Sequence, residues 1–176
     1  MSTLVDFQIA DWAGKGGLTP YSTELINPAS VNLRLGKTAL FEGADGRLYP
    51  KDLSRYSKEH PLMVAPGAWF LAETAEVITL PDNLEGEICL RSSAARAGFQ
   101  HALAGYIDPG WTGVITLEFK NLRRSKHLPI YPGIELVQLR LTQLRRRPRK
   151  SYAATGRYQG DTRVRACADS TISIER

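Results

Sequence analysis

The chain has 176 residues, 43% of them hydrophobic and 23% charged, which is typical of an ordinary single-domain globular protein. No apolar run reaches the roughly 18 residues of a membrane helix, and the N-terminus lacks a basic-then-apolar signal pattern. We therefore expect a cytoplasmic protein with no membrane partner. In such a protein the two cysteines, Cys89 and Cys167, are expected to be free thiols.

The net charge of +5 favours anionic partners such as nucleotides or nucleic acid. Much of the excess lies in the basic run over residues 145–150, which reads RRRPRK. A run this short is more often a solvated strand end. It also lacks the interleaved aromatic residues with which single-strand binders stack bases. The sequence therefore disfavours nucleic acid as the partner.

The predicted elements begin with a short amphipathic helix over Asp6–Trp12, which ends at Gly14, Gly16 and Gly17. Prolines and glycines then separate short apolar segments, and the candidate strands are Ser30–Leu35, Ala39–Phe41, Trp69–Thr74, Glu76–Leu80, Glu85–Leu90, Val114–Phe119 and Ile134–Leu144. Many short strands at close spacing predict an all-β barrel or sandwich. Residues 1–150 are predicted to form this domain, and residues 151–176, which lack periodicity, a mobile arm or lid.

A candidate anion site follows the strand that ends at Leu90. The segment over residues 91–96 reads RSSAAR, in which Ser92 or Ser93 can N-cap a short helix. Free backbone amides at such a helix start and the guanidinium groups of Arg91 and Arg96 are the donors that phosphate oxygens prefer. The alternative is an ordinary helix cap with two solvated arginines.

One carboxylate interrupts an apolar strand further along the chain. Side chains alternate in a strand, so Ile115, Leu117 and Phe119 are predicted to share one face, and Val114, Thr116 and Glu118 the other. A solvent-facing glutamate on an edge strand is the simple interpretation. A carboxylate held in a strand can also move protons, and the anion segment and Asp108 lie nearby in sequence.

Several other kinds of site lack their signatures. Asp108, Pro109 and Gly110 predict a β-turn and on their own are more often structural than catalytic. The His-x-Glu and Pro-Cys-x-x-Cys motifs of zinc nucleobase deaminases are missing, which excludes zinc catalysis of that kind. The phosphate loop of P-loop kinases and ATPases is missing too.

Three segments in the middle of the chain resemble the central motifs of deoxycytidine triphosphate deaminases. They read RSSAAR, AGYIDPGWTGVITLEFKN and PIYPGIELVQL, and INPASVNLRLG and LPDNLEG agree with the flanking motifs. This family belongs to the same superfamily as the trimeric deoxyuridine triphosphatases (dUTPases). The resemblance implies a distorted β-barrel or jelly roll of the β-clip type with a short N-terminal helix. It also implies a homotrimer whose active sites are shared between subunits.

The resemblance also implies roles for individual residues. Glu118 matches the general base and acid, Ser92 and Arg96 match residues that hold the water and the substrate, and Asp108 matches the aspartate near the deoxyribose. The substrate-binding residues that it implies are Arg91, Ser93, Ala104, Tyr106, Thr116, Leu117, Gln138, Tyr152, Arg157 and Gln159.

The implied chemistry is hydrolysis of dCTP to dUTP and ammonia without zinc, with Mg²⁺ entering on the triphosphate oxygens and no metal ligand from the protein. Gly105 and Tyr106 favour the bifunctional branch, which continues to dUMP, but both outcomes stay open. Two alternatives also stay open: a plain dUTPase, and a non-catalytic relative that senses nucleotides or binds nucleic acid.

Overall fold

The computed structural model describes residues 2–102 and 105–168. The chain is mostly β, with 44% of residues in strands and 15% in helices, as the sequence predicted. Within the described residues the strands are β1 (Ser2–Thr3), β2 (Leu18–Thr19), β3 (Ile26–Asn27), β4 (Ser30–Glu42), β5 (Leu48–Asp52), β6 (Leu62–Val64), β7 (Trp69–Thr79), β8 (Leu84–Leu90), β9 (Phe99–His101), β10 (Tyr106–Ile107), β11 (Thr112–Asn121), β12 (Leu128–Ile130) and β13 (Glu135–Gln143). The α-helices are α1 (Asp6–Trp12), α2 (Ser92–Ala97) and α3 (Tyr152–Thr155).

One sheet curls into a half-barrel and contains most of the strands. Its strand order is β10-β8-β13-β4-β7-β11-β9, and its neighbouring strands pair in antiparallel fashion. Phe70 and Phe119 stack at the centre of the core, with ring centroids 5.4 Å apart, and neither side chain is exposed. Burial of these rings fixes the register of β7 against β11, and thereby determines which side chains of β11 point away from the core.

The predicted boundaries are wrong at two central strands. Ser30–Leu35 and Ala39–Phe41 form one strand, β4, and Trp69–Thr74 and Glu76–Leu80 form β7, which ends at Thr79. Gly36 lies inside β4 because β4 passes close to β7 there. A Cβ atom at this position would collide with Cγ of Glu73. The glycine therefore permits close approach of the strands and does not end one.

The predicted helix at the N-terminus is confirmed with its bounds. α1 ends at Trp12, and a wider helical turn over Ala13–Gly17 follows it. The Trp12 ring packs against Gly17, where a Cβ atom would collide with the ring, and the indole N–H donates to the carbonyl of Thr79 at 3.1 Å. No helix among the described residues is long and apolar enough to cross a membrane.

The described part of the C-terminal arm folds back onto β11. The Val114 amide donates to the carbonyl of Asp161 at 2.8 Å, and the Val164 amide donates to Oε2 of Glu73 at 2.9 Å. The Trp111 and Tyr152 rings pack with their centroids 5.4 Å apart. Residues 151–168 thus contact the body through backbone bonds and an aromatic pair. The division into a body and a lid stays a prediction.

Candidate active site

Glu118 lies on β11 with the orientation that the alternation predicted. Ile115, Leu117 and Phe119 are buried, whereas Thr116 and Glu118 are only partly buried on the other face. The strand is irregular between Val114 and Thr116, where the register against β7 shifts and the Ile115 amide donates to Oγ1 of Thr74. The irregularity keeps the apolar stripe in the core while Glu118 stays accessible.

The environment of the Glu118 carboxylate is unusual for a charged group. Its Oε2 atom is buried and lies 3.4 Å from Nε2 of His101, without the alignment that a hydrogen bond requires. The side chain as a whole is 24% exposed. Burial raises the pKa of Glu118 above its ordinary value. A carboxyl group with a raised pKa exchanges protons closer to neutral pH, as a general base must.

Two other glutamates of the same sheet provide a comparison. Glu73 accepts the amides of Thr38 and Val164, at 3.1 and 2.9 Å. Glu76 accepts both the amide and the Nε–H of Arg34, at 2.9 and 2.6 Å. Among the described residues, the buried side-chain atoms without a hydrogen-bond partner are Oε2 of Glu118 and Nε2 of His101. Perturbed, unsatisfied polar groups of this kind concentrate at functional sites.

His101 is a residue of this site that the sequence argument missed. It lies on β9, opposite Phe119 in the register, and is only 3% exposed. Burial lowers the pKa of its imidazole, so the ring is neutral at pH 7. A signal was present in the sequence: Phe99 and His101 alternate around Gln100, as the inward residues of a short strand do.

The anion segment forms α2, but its start differs from the prediction. The N-cap is Arg91 and makes no side-chain cap bond, so the prediction that Ser92 or Ser93 caps the helix is wrong. Ser92, Ser93 and Arg96 are exposed on α2. These three side chains are therefore accessible to a ligand or another subunit.

Arg91 is engaged within the fold. Its Nη1–H donates to Oε2 of Glu135 at 2.7 Å and to the Glu135 carbonyl at 3.1 Å. Asn32 donates to the same carboxylate oxygen at 2.7 Å. Each side chain of the Arg91–Glu135 pair is about one-third exposed. Arg91 thus has a structural role beside the substrate-binding role that the sequence predicts.

A second group of predicted residues lines one cavity. Tyr106, Asp108 and Tyr152, together with Lys150, which was not predicted, face a space of about 420 Å³ beside the end of β10. The Tyr106 hydroxyl donates to Oε2 of Glu85 at 3.0 Å. Partial burial, this hydrogen bond and the nearby negative charges raise the pKa of Tyr106 to about 12. The phenol therefore stays protonated and remains a hydrogen-bond donor at neutral pH.

The structure does not bring all the predicted residues together within one chain. Among the described residues, no hydrogen bond or ion pair joins Glu118 to Ser92, Arg96 or Asp108. β10, which precedes Asp108, and β11, which carries Glu118, lie towards opposite ends of the strand order. Within a single chain, the carboxylate and the Asp108 cavity are therefore parts of separate surfaces.

The remaining predicted residues lie in different parts of the fold. Gln138 accepts a hydrogen bond from Ser30 at 3.0 Å. The Gln159 amide group bridges the Gly110 carbonyl and the Thr112 amide, at 3.2 and 3.1 Å. Arg157 is exposed, and Leu117 is buried in the core. Ala104 lies outside the described residues.

At Thr116 the backbone groups on the outer edge of β11 have no backbone partner among the described residues, although the Arg165 amide of the C-terminal arm donates to the Thr116 hydroxyl at 3.4 Å. The amide of Val114 binds the C-terminal arm, and the carbonyl of Glu118 accepts the Ala102 amide at 3.1 Å. By strand alternation, the N–H and C=O of Thr116 point to this same edge. No described residue forms a backbone hydrogen bond to Thr116 from there. We call this stretch of edge the β11 gap; it lies beside the Glu118 carboxylate.

Comparisons with known proteins agree with the motifs. A family model described as dCTP deaminase-like matches residues 4–144. A relative from Leifsonia xyli named "dCTP deaminase, dUMP-forming" is 33% identical over 163 residues, which cover 84% of this chain and 80% of the relative. One of the same name from Parafrankia sp. is 35% identical over 175 residues, covering 90% and 87%.

A solved structure shares the fold. The 2'-deoxycytidine 5'-triphosphate deaminase from Agrobacterium tumefaciens superposes with a TM-score of 0.65 at 23% identity. The match covers 79% of this chain, but this chain spans only 47% of that protein. It confirms the predicted fold class.

Proposed function

We propose that this chain, which belongs to the dCTP deaminase-like family, hydrolyses dCTP to dUTP and ammonia and continues to dUMP and pyrophosphate. The observation that carries the proposal is the half-buried, unsatisfied carboxylate of Glu118 beside the β11 gap. The second step is supported by the names of the relatives, which include "dUMP-forming". A cytoplasmic location fits this function, because a highly charged triphosphate does not cross a lipid bilayer unaided.

The β11 gap has the donor and acceptor that a cytosine edge requires. Cytosine presents the N4 amino group as a donor and N3 as an acceptor. The Thr116 carbonyl accepts from the amino group, while its amide donates to N3. Backbone groups are held by the sheet and cannot reorient, so they orient the base at little entropic cost. This binding mode would direct C4 towards Glu118.

Glu118 then acts as the proton shuttle. Its carboxylate takes a proton from a water molecule as the water oxygen attacks C4, and a tetrahedral centre forms. The carboxyl group returns this proton to the amino nitrogen, the C4–N4 bond breaks and ammonia leaves. The raised pKa of Glu118 supports both steps, because one group must accept and then release the same proton.

The triphosphate requires other residues. Ser92 and Arg96 provide exposed hydroxyl and guanidinium donors, and Lys150 adds a charge beside Asp108. Asp108 would orient the water that attacks the α-phosphate in the second step. Mg²⁺ prefers phosphate and water oxygens and requires no protein cage. Among the described residues, no cluster of three or more His, Cys, Asp or Glu side chains could hold a metal ion.

A complete site on this scheme requires more than one chain. Within one subunit, no hydrogen bond or ion pair among the described residues joins Glu118 to Ser92, Arg96 or Asp108. We therefore propose a homotrimer in which neighbouring chains supply Ser92 and Arg96 to the Glu118 of each chain. Closed cyclic assemblies of this kind repeat one interface around a symmetry axis.

A single incubation tests the reaction. The purified chain is incubated with dCTP and Mg²⁺, while dUTP, dUMP, ammonia and pyrophosphate are followed together. Ammonia with dUMP and pyrophosphate is the expected result, and ammonia with dUTP alone would remove the second step. A plain dUTPase would release pyrophosphate from dUTP and leave dCTP intact. Binding of dCTP without any ammonia would indicate a non-catalytic relative and overturn the proposal.

Subunit mixing tests the shared site. Glu118→Gln and Arg96→Ala chains are each expected to be inactive as pure proteins. If the two residues come from different chains, random mixed trimers recover about a quarter of the wild-type sites. No recovery in trimers shown by mass measurement to be mixed would place both residues in one chain.

A further inference from the structure

We infer that His101 is a positioning residue for the deamination proposed above: its Nε2–H holds Oε2 of Glu118, so that the other carboxylate oxygen takes the proton of the attacking water. The inference rests on the proposed function for its chemistry and on the His101–Glu118 pair for its geometry. His101 belongs to none of the motifs by which the sequence indicates the site.

The pair is placed to share a hydrogen bond. Nε2 of His101 and Oε2 of Glu118 are 3.4 Å apart, and neither atom has another partner among the described residues. The separation is already within reach of a hydrogen bond, so a small shift in the orientation of the Glu118 carboxylate towards the ring would close it. Hydrogen bonds in catalytic sites are often long without substrate and shorten when it binds. Two buried polar atoms without other partners gain from such a shift, because each otherwise bears its desolvation cost alone.

The imidazole is held firmly enough to position another group. His101 packs edge-on against Phe119, with ring centroids 5.7 Å apart, and β9 pairs with β11 at these two residues. The ring is almost fully buried, so it cannot swing into solvent. Glu118 by contrast keeps 24% exposure and remains accessible to a ligand. The rigid member of the pair is the histidine, and the reactive member is the carboxylate.

The protonation states follow from burial. A neutral imidazole carries one N–H, and the ionised carboxylate can only accept. The favourable arrangement therefore has the proton of His101 on Nε2, directed at Oε2. If Oε2 took the proton of the attacking water, two hydrogen atoms would lie between Oε2 and Nε2 and repel each other. The incoming proton is thus directed to Oε1, and His101 stays neutral throughout.

Other charges do not take over this role. The elements that pack against β9 or Glu118 are α2, β7, β8 and β11. Their other charged side chains are Arg96, Glu73, Glu76, Glu85, Glu87 and Lys120. Among the described residues, none of these side chains forms an ion pair with His101 or Glu118. The titration of Glu118 should therefore respond mainly to burial, which raises its pKa, and to a donor from His101, which lowers it.

Two substitutions separate positioning from packing. His101→Phe keeps a planar ring but removes the donor, and His101→Gln keeps an N–H near the position of Nε2. We expect His101→Phe to lower kcat for ammonia release about 10- to 100-fold with little change in KM, less than the loss of the base itself. The acid limb of its pH–rate profile should move to higher pH, because ionised Glu118 loses a donor. His101→Gln should recover much of the rate and return the limb towards the wild-type position.

The opposite results would overturn the inference. Equal losses in both variants with an unmoved acid limb would show that His101 only fills the core. Thermal melting and dCTP binding of each variant identify any loss caused by misfolding.

A measurement on the wild-type protein does not depend on the variants. The chain has three histidines, so ¹⁵N spectra of labelled protein are simple, and the His101 signals are assigned by their loss in His101→Gln. We expect the neutral Nε2–H tautomer at pH 7, with a resonance that shifts in Glu118→Gln. The Nδ1–H tautomer, or no response to Glu118→Gln, would refute the hydrogen bond. Absence of ammonia release by the wild type would instead refute the proposed function.

Discussion

Replacing Glu118 with glutamine removes the proton acceptor and nearly preserves the shape of the side chain. A positioned general acid–base group contributes about 10²- to 10⁴-fold to a rate. The structure favours the upper half of this range. Among the described residues, the titratable group within ion-pair distance of Glu118 is His101, and burial lowers the pKa of that imidazole and keeps it neutral. A loss of about 10³- to 10⁴-fold in kcat corresponds to about 4–5 kcal/mol of barrier.

The same substitution should not destabilise the fold. Burial raises the folded-state pKa of Glu118 above the unfolded value of about 4.3. The stability that this shift contributes is present below the unfolded pKa and is lost as pH rises through the folded pKa. At pH 7 the wild type therefore bears the cost of an ionised, partly desolvated carboxylate, and Glu118→Gln does not. We expect an equal or higher melting temperature at pH 7, with the difference shrinking below pH 4.

Ammonia release and thermal unfolding, measured on the same preparation, test the expected loss of activity and the expected stability. Glu42→Gln is the matched control, since Glu42 is exposed at the end of β4 and should affect neither. A Glu118→Gln protein that keeps more than about a tenth of the wild-type rate would remove Glu118 as the shuttle. A clearly lower melting temperature at pH 7 would contradict the electrostatic argument.

Two further substitutions and a truncation test other parts of the site. Arg91→Ala should lower the free energy of unfolding by about 1–2 kcal/mol in urea denaturation, because the Glu135 carboxylate loses a charged donor; unchanged stability would leave Arg91 with a ligand role alone. Gly105→Ala should lower the melting temperature, since a Cβ atom would collide with the Ile88 carbonyl; an unaltered melt would show that β8 and β10 separate easily. Deleting residues 156–176 should lower both stability and ammonia release, because β11 loses its bonds to the arm; full activity without them would rule out closure by the arm.

The parts of the fold that follow from local pattern were predictable. The two-residue period of β11 placed Glu118 on the face opposite Ile115 and Leu117, and the glycines after Trp12 ended α1. The strand boundaries failed where a local signal had a distant cause. Gly36 is a typical strand breaker, but here it makes room for Glu73, a residue 37 positions away. Such close approach has no signature in the sequence around the glycine.

The site was predictable only as a set of residue types. The motifs named Glu118, Arg91 and Asp108 together, whereas the structure assigns Arg91 to an ion pair with Glu135 and Asp108 to a separate cavity. The docking of the arm on β11 uses backbone groups, such as the carbonyl of Asp161 that accepts the Val114 amide, which any residue can supply. Backbone bonds between distant segments leave no trace in composition or periodicity, so the sequence predicted residues 151–176 as an arm without indicating where it docks.

The difference between a structural and a reactive glutamate in this sheet lies in the donors that distant segments supply. Glu73 and Glu76 stand in β7 as Glu118 stands in β11, and strand periodicity alone does not distinguish the three. The donors to Glu73 come from Thr38 and Val164, 35 and 91 positions away. Each such donor occupies a lone pair of the carboxylate, which thereby becomes a fixed acceptor of the fold. Glu118 is buried without such donors, which leaves its carboxylate free to gain and return a proton.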